Sequence, residues 1–111
     1  MEAVTLRFIG RWPEDPRWFI RAGSRHAGGI TVHSISGESF SYGIAVAPAL
    51  RSRGIAKAAL PLLFEEMKKR GFNRAEVQIE SGNAASLALH LGLGFRLYAE
   101  DERTVSLERR L

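Results

Sequence analysis

Val46-Ala47-Pro48-Ala49-Leu50-Arg51-Ser52-Arg53-Gly54-Ile55-Ala56 is the stretch on which the reading of this chain turns. Upstream, Phe40 to Val46 (F-S-Y-G-I-A-V) reads as a strand, and Pro48 stops it because proline cannot donate to a ladder. Downstream, from Ser52 to Arg70, Ala56, Ala59, Leu60, Leu63, Phe64 and Met67 recur at helical spacing. Lys57, Glu65, Lys68 and Lys69 fall on the other face, and Gly71 ends the helix. The stretch between is a basic, glycine-containing turn that opens directly into a helix. The first N–H groups of a helix have no internal partners, and the helix dipole adds partial positive charge there. A diphosphate can accept those N–H bonds where no side chain blocks its approach. Gly54 removes that obstacle, Ala56 keeps the next position small, and Arg51 and Arg53 place full charges at the rim.

Working outward, Val4 to Ile9 alternates as a first strand, and Pro13 and Pro16 bracket a short turn. Trp18 to Ala22 reads as a second strand or as a short helix capped by Asp15. The strand is favoured because Gly23-Ser24-Arg25 leads straight into another β-like run, Gly29 to Ile35. Pro61 inside the long helix removes one backbone bond and predicts a bend. Ala75 to Glu80 is a further strand, and Asn83 caps a helix through Ala84 to Leu91 or Leu93. Phe95 to Ala99 and Thr104 to Leu107 complete the order: four strands, helix, strand, helix, two strands. The crossover helix predicts that the strands ending at Val46 and starting at Ala75 are parallel neighbours.

With 111 residues, the chain suits one domain spanning 1–111. It has no cysteine, which excludes disulfides, thiolate metal sites and cysteine nucleophiles. No apolar run approaches a membrane span, so no membrane partner is expected. Met1 to Gly10 alternates and carries charge at Glu2 and Arg7, unlike a signal peptide, so a cytoplasmic location is expected. The net charge of +4 comes from arginine, since Lys57, Lys68 and Lys69 are the only lysines. Arginine's planar fork suits phosphate. Aromatic residues are not interleaved with the basic ones, so nucleic acid is not an expected partner.

The run V-A-P-A-L-R-S-R-G-I-A resembles the acyl-CoA signature of the GNAT superfamily: Arg or Gln, two residues, Gly, one residue, then Gly or Ala. Arg51, Gly54 and Ala56 fill those positions, and N-A-A-S-L-A-L-H-L-G-L-G-F from Asn83 to Phe95 resembles the family's second cofactor-side motif. The alternative, a turn that merely caps a helix, does not account for two motifs in the right order and spacing. No Lys-Ser or Lys-Thr pair follows the glycine as in a Walker loop, and the spacing is not that of a Rossmann fingerprint.

The resemblance implies an α/β (α+β) fold. Its mixed, mostly antiparallel sheet of six to seven strands carries two main helices and is splayed at the acyl-CoA site. It implies an N-acyltransferase that moves an acetyl group from acetyl-CoA to a primary amine, or a non-catalytic acyl-CoA-binding module of the same fold. Arg51, Ser52, Arg53, Gly54, Ile55 and Ala56 would then hold the coenzyme A pyrophosphate. The backbone of Ile44 and Val46 would pair with the pantetheine arm, and Asn83 would open the second cofactor-side helix.

By the same resemblance, the family's proton-donating tyrosine falls at His90, and its glutamate base falls at Ser41, which cannot act as a base. His90 is either a general acid or a packed histidine with satisfied nitrogens. For the base, Glu80 leads over His33, Tyr42 and a water chain, because strand ends near the splay should line the pocket; the alternative is that Glu80 is a solvated strand-end carboxylate. Trp12 and Trp18 read as acceptor-site, core or interface residues. Only Gly10 to Arg17 stands where the family usually places two helices. An uncovered apolar region there predicts a homodimer through the first or last strand, with Trp12 and Trp18 as anchors. The alternative is a monomer with an open acceptor site.

Overall fold

Seven strands and two helices account for residues 3–111, the part of the chain that the computed structural model describes. Met1 and Glu2, and with them the charge at Glu2, lie outside the described residues. The strands are β1 (Val4–Phe8), β2 (Arg17–Ala22), β3 (Arg25–Ser36), β4 (Ser39–Val46), β5 (Arg74–Glu80), β6 (Arg96–Glu100) and β7 (Thr104–Arg110). Helix α1 spans Ile55–Lys69 and α2 spans Ala84–Gly92. The sheet order is β1-β2-β3-β4-β5-β7-β6, and only β4 and β5 pair in parallel. The predicted crossover is present.

Both helices lie on one face of the sheet. Trp18, Ile20, Ile30, Val32, Phe40, Tyr42, Val77 and Leu107 alternate inward and are buried with Leu60, Leu63, Phe64 and Met67 of α1. The Tyr42 ring meets Phe64 of α1 and His90 of α2, which fixes both helices to the same side. Among the described residues no helix covers the opposite face, which carries Arg17, Phe19, Ser34, Ser41 and Gln78. The reason lies between β1 and β2. These strands pair directly, Val4 with Ala22 through Phe8 with Trp18, and residues 9–16 form only a turn closed by an Arg11–Asp15 bridge. The Trp12–Pro13 peptide in that turn is cis.

Several expectations change in detail. The rival helix at Asp15 does not form, because residues 17–22 are held between β1 and β3. Helix α1 begins at Ile55 rather than Ser52 and has Pro61 inside it, as expected. A 3-10 turn at Pro48–Leu50 occupies the approach to it. The last strand is interior to the sheet, between β5 and β6, so it offers no edge for a partner. Trp18 is buried core and Trp12 packs edge-on against Phe72 beneath the Arg70 guanidinium, so neither is an exposed anchor.

Candidate active site

The parallel β4–β5 ladder is three residues long. It runs from Ser39–Arg74 through Phe40–Ala75 to Ser41–Glu76 and then stops. Beyond it β4 stays with β3, and β5 stays with β7 as far as Glu80–Thr104. The two strands therefore part from Tyr42 and Val77 onward. Ala47 N–H bonds to the Ala27 carbonyl, so by strand alternation Gly43 and Ala45 also face β3. The N–H and C=O groups of Ile44 and Val46 are thus turned toward the gap.

That gap opens into a groove of about 690 Å³. Ile44 to Val46 form one wall, Arg51, Ser52 and Gly54 to Lys57 close one end, and Asn83, Ser86 and Leu89 of α2 form the other wall. Gly54 is the residue before α1 and has φ +76°, a left-handed backbone that favours glycine. A side chain there meets no obstacle in space, so it is the conformation that requires the glycine. Asn83 caps α2 by accepting from Ser86 N–H at 3.1 Å. Arg51 differs from its expected role at the rim, because its Nε donates to the Val46 carbonyl at 3.1 Å. It braces the loop against the strand end and holds the acceptor that a ligand strand would use.

A strand edge that no strand pairs among the described residues, beside an open helix start, is the arrangement that the two motifs imply, and the acetyltransferase (GNAT) family model matches residues 2–95. The chain belongs to the GNAT family. Solved structures share the fold. The IAA acetyltransferase of Bacillus cereus superposes with a TM-score of 0.85 at 18% identity, covering 98% of this chain and all of that one. A Bacillus subtilis acetyltransferase in complex with CoA gives 0.86 at 17% identity, covering 98% and 99%. By sequence, the [ribosomal protein bS18]-alanine N-acetyltransferase of Escherichia coli K12 is 36% identical over 58 residues, 52% of this chain and 39% of that protein. The mycothiol acetyltransferase of Segniliparus rotundus is 33% identical over 60 residues, 54% and 23% respectively. By sequence, the chain thus spans less than half the length of either of these last two relatives.

In this GNAT chain the two catalytic candidates are not at the groove. His90 is 1% exposed. Its Nδ1 lies 2.8 Å from the Ser86 carbonyl and its Nε2 2.9 Å from the Tyr42 hydroxyl. A carbonyl only accepts, so Nδ1 carries the proton and Tyr42 O–H donates to Nε2. Burial lowers the His90 pKa, opposed in part by the Ser86 bond, which keeps the imidazole neutral. Burial likewise raises the Tyr42 hydroxyl far above its ordinary value. A buried, neutral ring with both nitrogens engaged ties α2 to β4. This corrects the general-acid assignment. Glu80 is also displaced from its expected place: exposed at the end of β5, it pairs with Thr104 and lines neither the groove nor the cavity behind the splay.

That cavity, about 470 Å³, opens on the bare face where β4 and β5 part, and its lining includes His33, Ser41, Gly43, Glu76, Gln78 and Tyr98. Of these, His33 is among the base candidates legible in the sequence, and Glu76 and Tyr98 are not. Lys57, Ser86 and Leu89 of the groove were also missed, although Ser86 and Leu89 stand three and six residues past Asn83, on one helical face.

Proposed function

We propose that this domain binds acetyl-CoA in the β4–α1–α2 groove and transfers the acetyl group to a primary amine. The observation that carries the reading is the Ile44–Val46 edge, which pairs with no strand on the β5 side among the described residues, leading to the Gly54-opened start of α1. Arg51 to Ala56 would take the pyrophosphate on backbone N–H groups, with Arg53 and Lys57 supplying charge. Ile44 and Val46 would bond the amide-bearing arm as an added strand. Opening of the Arg51–Val46 contact would accompany binding. The acyl end would then reach the splay, where the carbonyl needs a donor in its transition state and a free backbone N–H of β4 is suited to supply it.

The acceptor reaches the splay from the bare face. Among the described residues no helix narrows that approach, so a bulky amine such as a protein terminus fits as well as a small molecule. Sequence similarity to a ribosomal-protein N-acetyltransferase accords with this. Self-association is proposed through a sheet edge, either the first strand β1 or, in place of the interior last strand, β6, all of which is exposed, including Leu97 and Tyr98. The test of function is release of free thiol from acetyl-CoA across a panel of amines, with mass detection of the acetylated product. Coenzyme binding without thiol release for any amine would leave a binding module and overturn the transferase reading.

A further inference from the structure

We infer that His33 is the general base of this acetyltransfer, accepting the amine proton from the bare face of the sheet where β4 and β5 separate. The inference rests on the proposed function and identifies the group that replaces the base absent at Ser41.

The first observation is the backbone that aims it. Val32 pairs with Tyr42 and Ser34 pairs with Ser41, so His33 is an extra residue with no partner on β4. Such a bulge leaves one residue outside the ladder and turns its side chain, and bulges are common beside active sites. The second is contact with the splay. A methyl group placed on Gly43 would stand 2.5 Å from His33 Nε2 and 3.3 Å from Cε1. The imidazole therefore rests on the β4 backbone at Gly43, two residues past the last β4–β5 pair. Only glycine leaves it that room.

The third observation is the state of its neighbours. The Glu76 carboxylate is held by Arg74 at 2.6 Å and accepts from the Tyr98 hydroxyl at 3.2 Å. Burial, and then Glu76, raise the Tyr98 pKa, so this hydroxyl keeps its proton. Ser41 Oγ is 2.7 Å from Ser34 Oγ. Toward β2 the charged groups are Asp15 and Arg17, bonded to each other at 2.7 Å beside the Pro16–Val32 contact. His33 makes no hydrogen bond among the described residues, and a neutral imidazole nitrogen without a proton is an acceptor.

The step balances without a further reagent. The amine nitrogen lone pair forms a C–N bond to the thioester carbonyl carbon, and the C–S bond breaks with its electron pair on sulfur. The nitrogen proton passes to His33 Nε2 and from there to solvent, and solvent protonates the thiolate.

The experiment measures CoA-induced thermal stabilisation and amine-dependent thiol release for the wild-type chain, His33→Ala and His33→Gln. Wild-type stabilisation by CoA retained in both variants, with thiol release down about a hundredfold, is the expected result. Added imidazole should restore part of the rate to His33→Ala, where the ring's space is empty, and not to His33→Gln. A wild-type rate that survives both substitutions within twofold overturns the role of His33 and leaves the proposed function standing. A wild-type chain that gains no stability from CoA and releases no thiol overturns both.

Discussion

Replacing His90 by Phe separates the structural from the catalytic reading of that residue. The ring is 1% exposed and bonded on both sides, to Ser86 O and Tyr42 Oη. Phenylalanine fills nearly the same space but leaves the Tyr42 hydroxyl buried without a partner. An unsatisfied buried hydroxyl costs about 1–3 kcal/mol. For a domain of this size that is a fall in Tm of roughly 4 °C per kcal/mol. Tyr42→Phe strands His90 Nε2 instead and should cost a similar amount. The double variant removes both polar atoms, so it should lose much less than the sum, with a coupling of about 1–2 kcal/mol. Urea denaturation of the four proteins measures this directly. Thiol release per folded molecule should change little in His90→Phe. Additive losses within about 0.5 kcal/mol would refute the buried pair. A hundredfold loss of turnover with stability intact would restore His90 as the acid.

Because burial lowers the His90 pKa below that of an ordinary histidine, its contribution to stability is complete above the ordinary value and is lost as pH falls toward the folded-state pKa. The stability gap between wild type and His90→Phe should therefore shrink from pH 7.5 to pH 5, as urea midpoints will show; a constant gap contradicts it. Gly28→Ala would place a methyl 2.0 Å from the Ala45 carbonyl oxygen, so it should cost about 1–3 kcal/mol by forcing β3 from β4 beside the groove. Unchanged stability would show that the two strands are not so close there. If β6 joins two copies, Leu97→Glu should convert a dimer to a monomer by light scattering across a concentration series. A wild-type chain that is monomeric at micromolar concentration rules the dimer out.

The order of elements was legible because each segment carries a clean period: two in Phe40 to Val46, near 3.6 from Ala56 to Met67. The α1 boundary was not, because Ser52 and Arg53 satisfy a helical pattern while the left-handed Gly54 delays the helix to Ile55. The groove loop was legible as a local motif. The partner of His90 was not, since Tyr42 stands 48 residues away and only the packed sheet brings the two rings together. Glu80 failed for a related reason. A strand end near a splay points wherever its own ladder holds it, and β7 keeps Glu80 with Thr104. The bulge at His33 depends on a one-residue register shift that composition does not encode.

The central claim is that the Gly54-opened start of α1 and the free β4 edge form a coenzyme A site. Isothermal titration of CoA into the wild-type chain and into Gly54→Val tests it most directly. The substitution puts a β-branched residue at φ +76° and a side chain over the helix start, so it both strains the turn and blocks the phosphate. The account predicts one site per chain in the wild type and loss of binding in a Gly54→Val protein that is still folded by circular dichroism. No heat of binding in the wild type, or equal affinity in the two proteins, would contradict it.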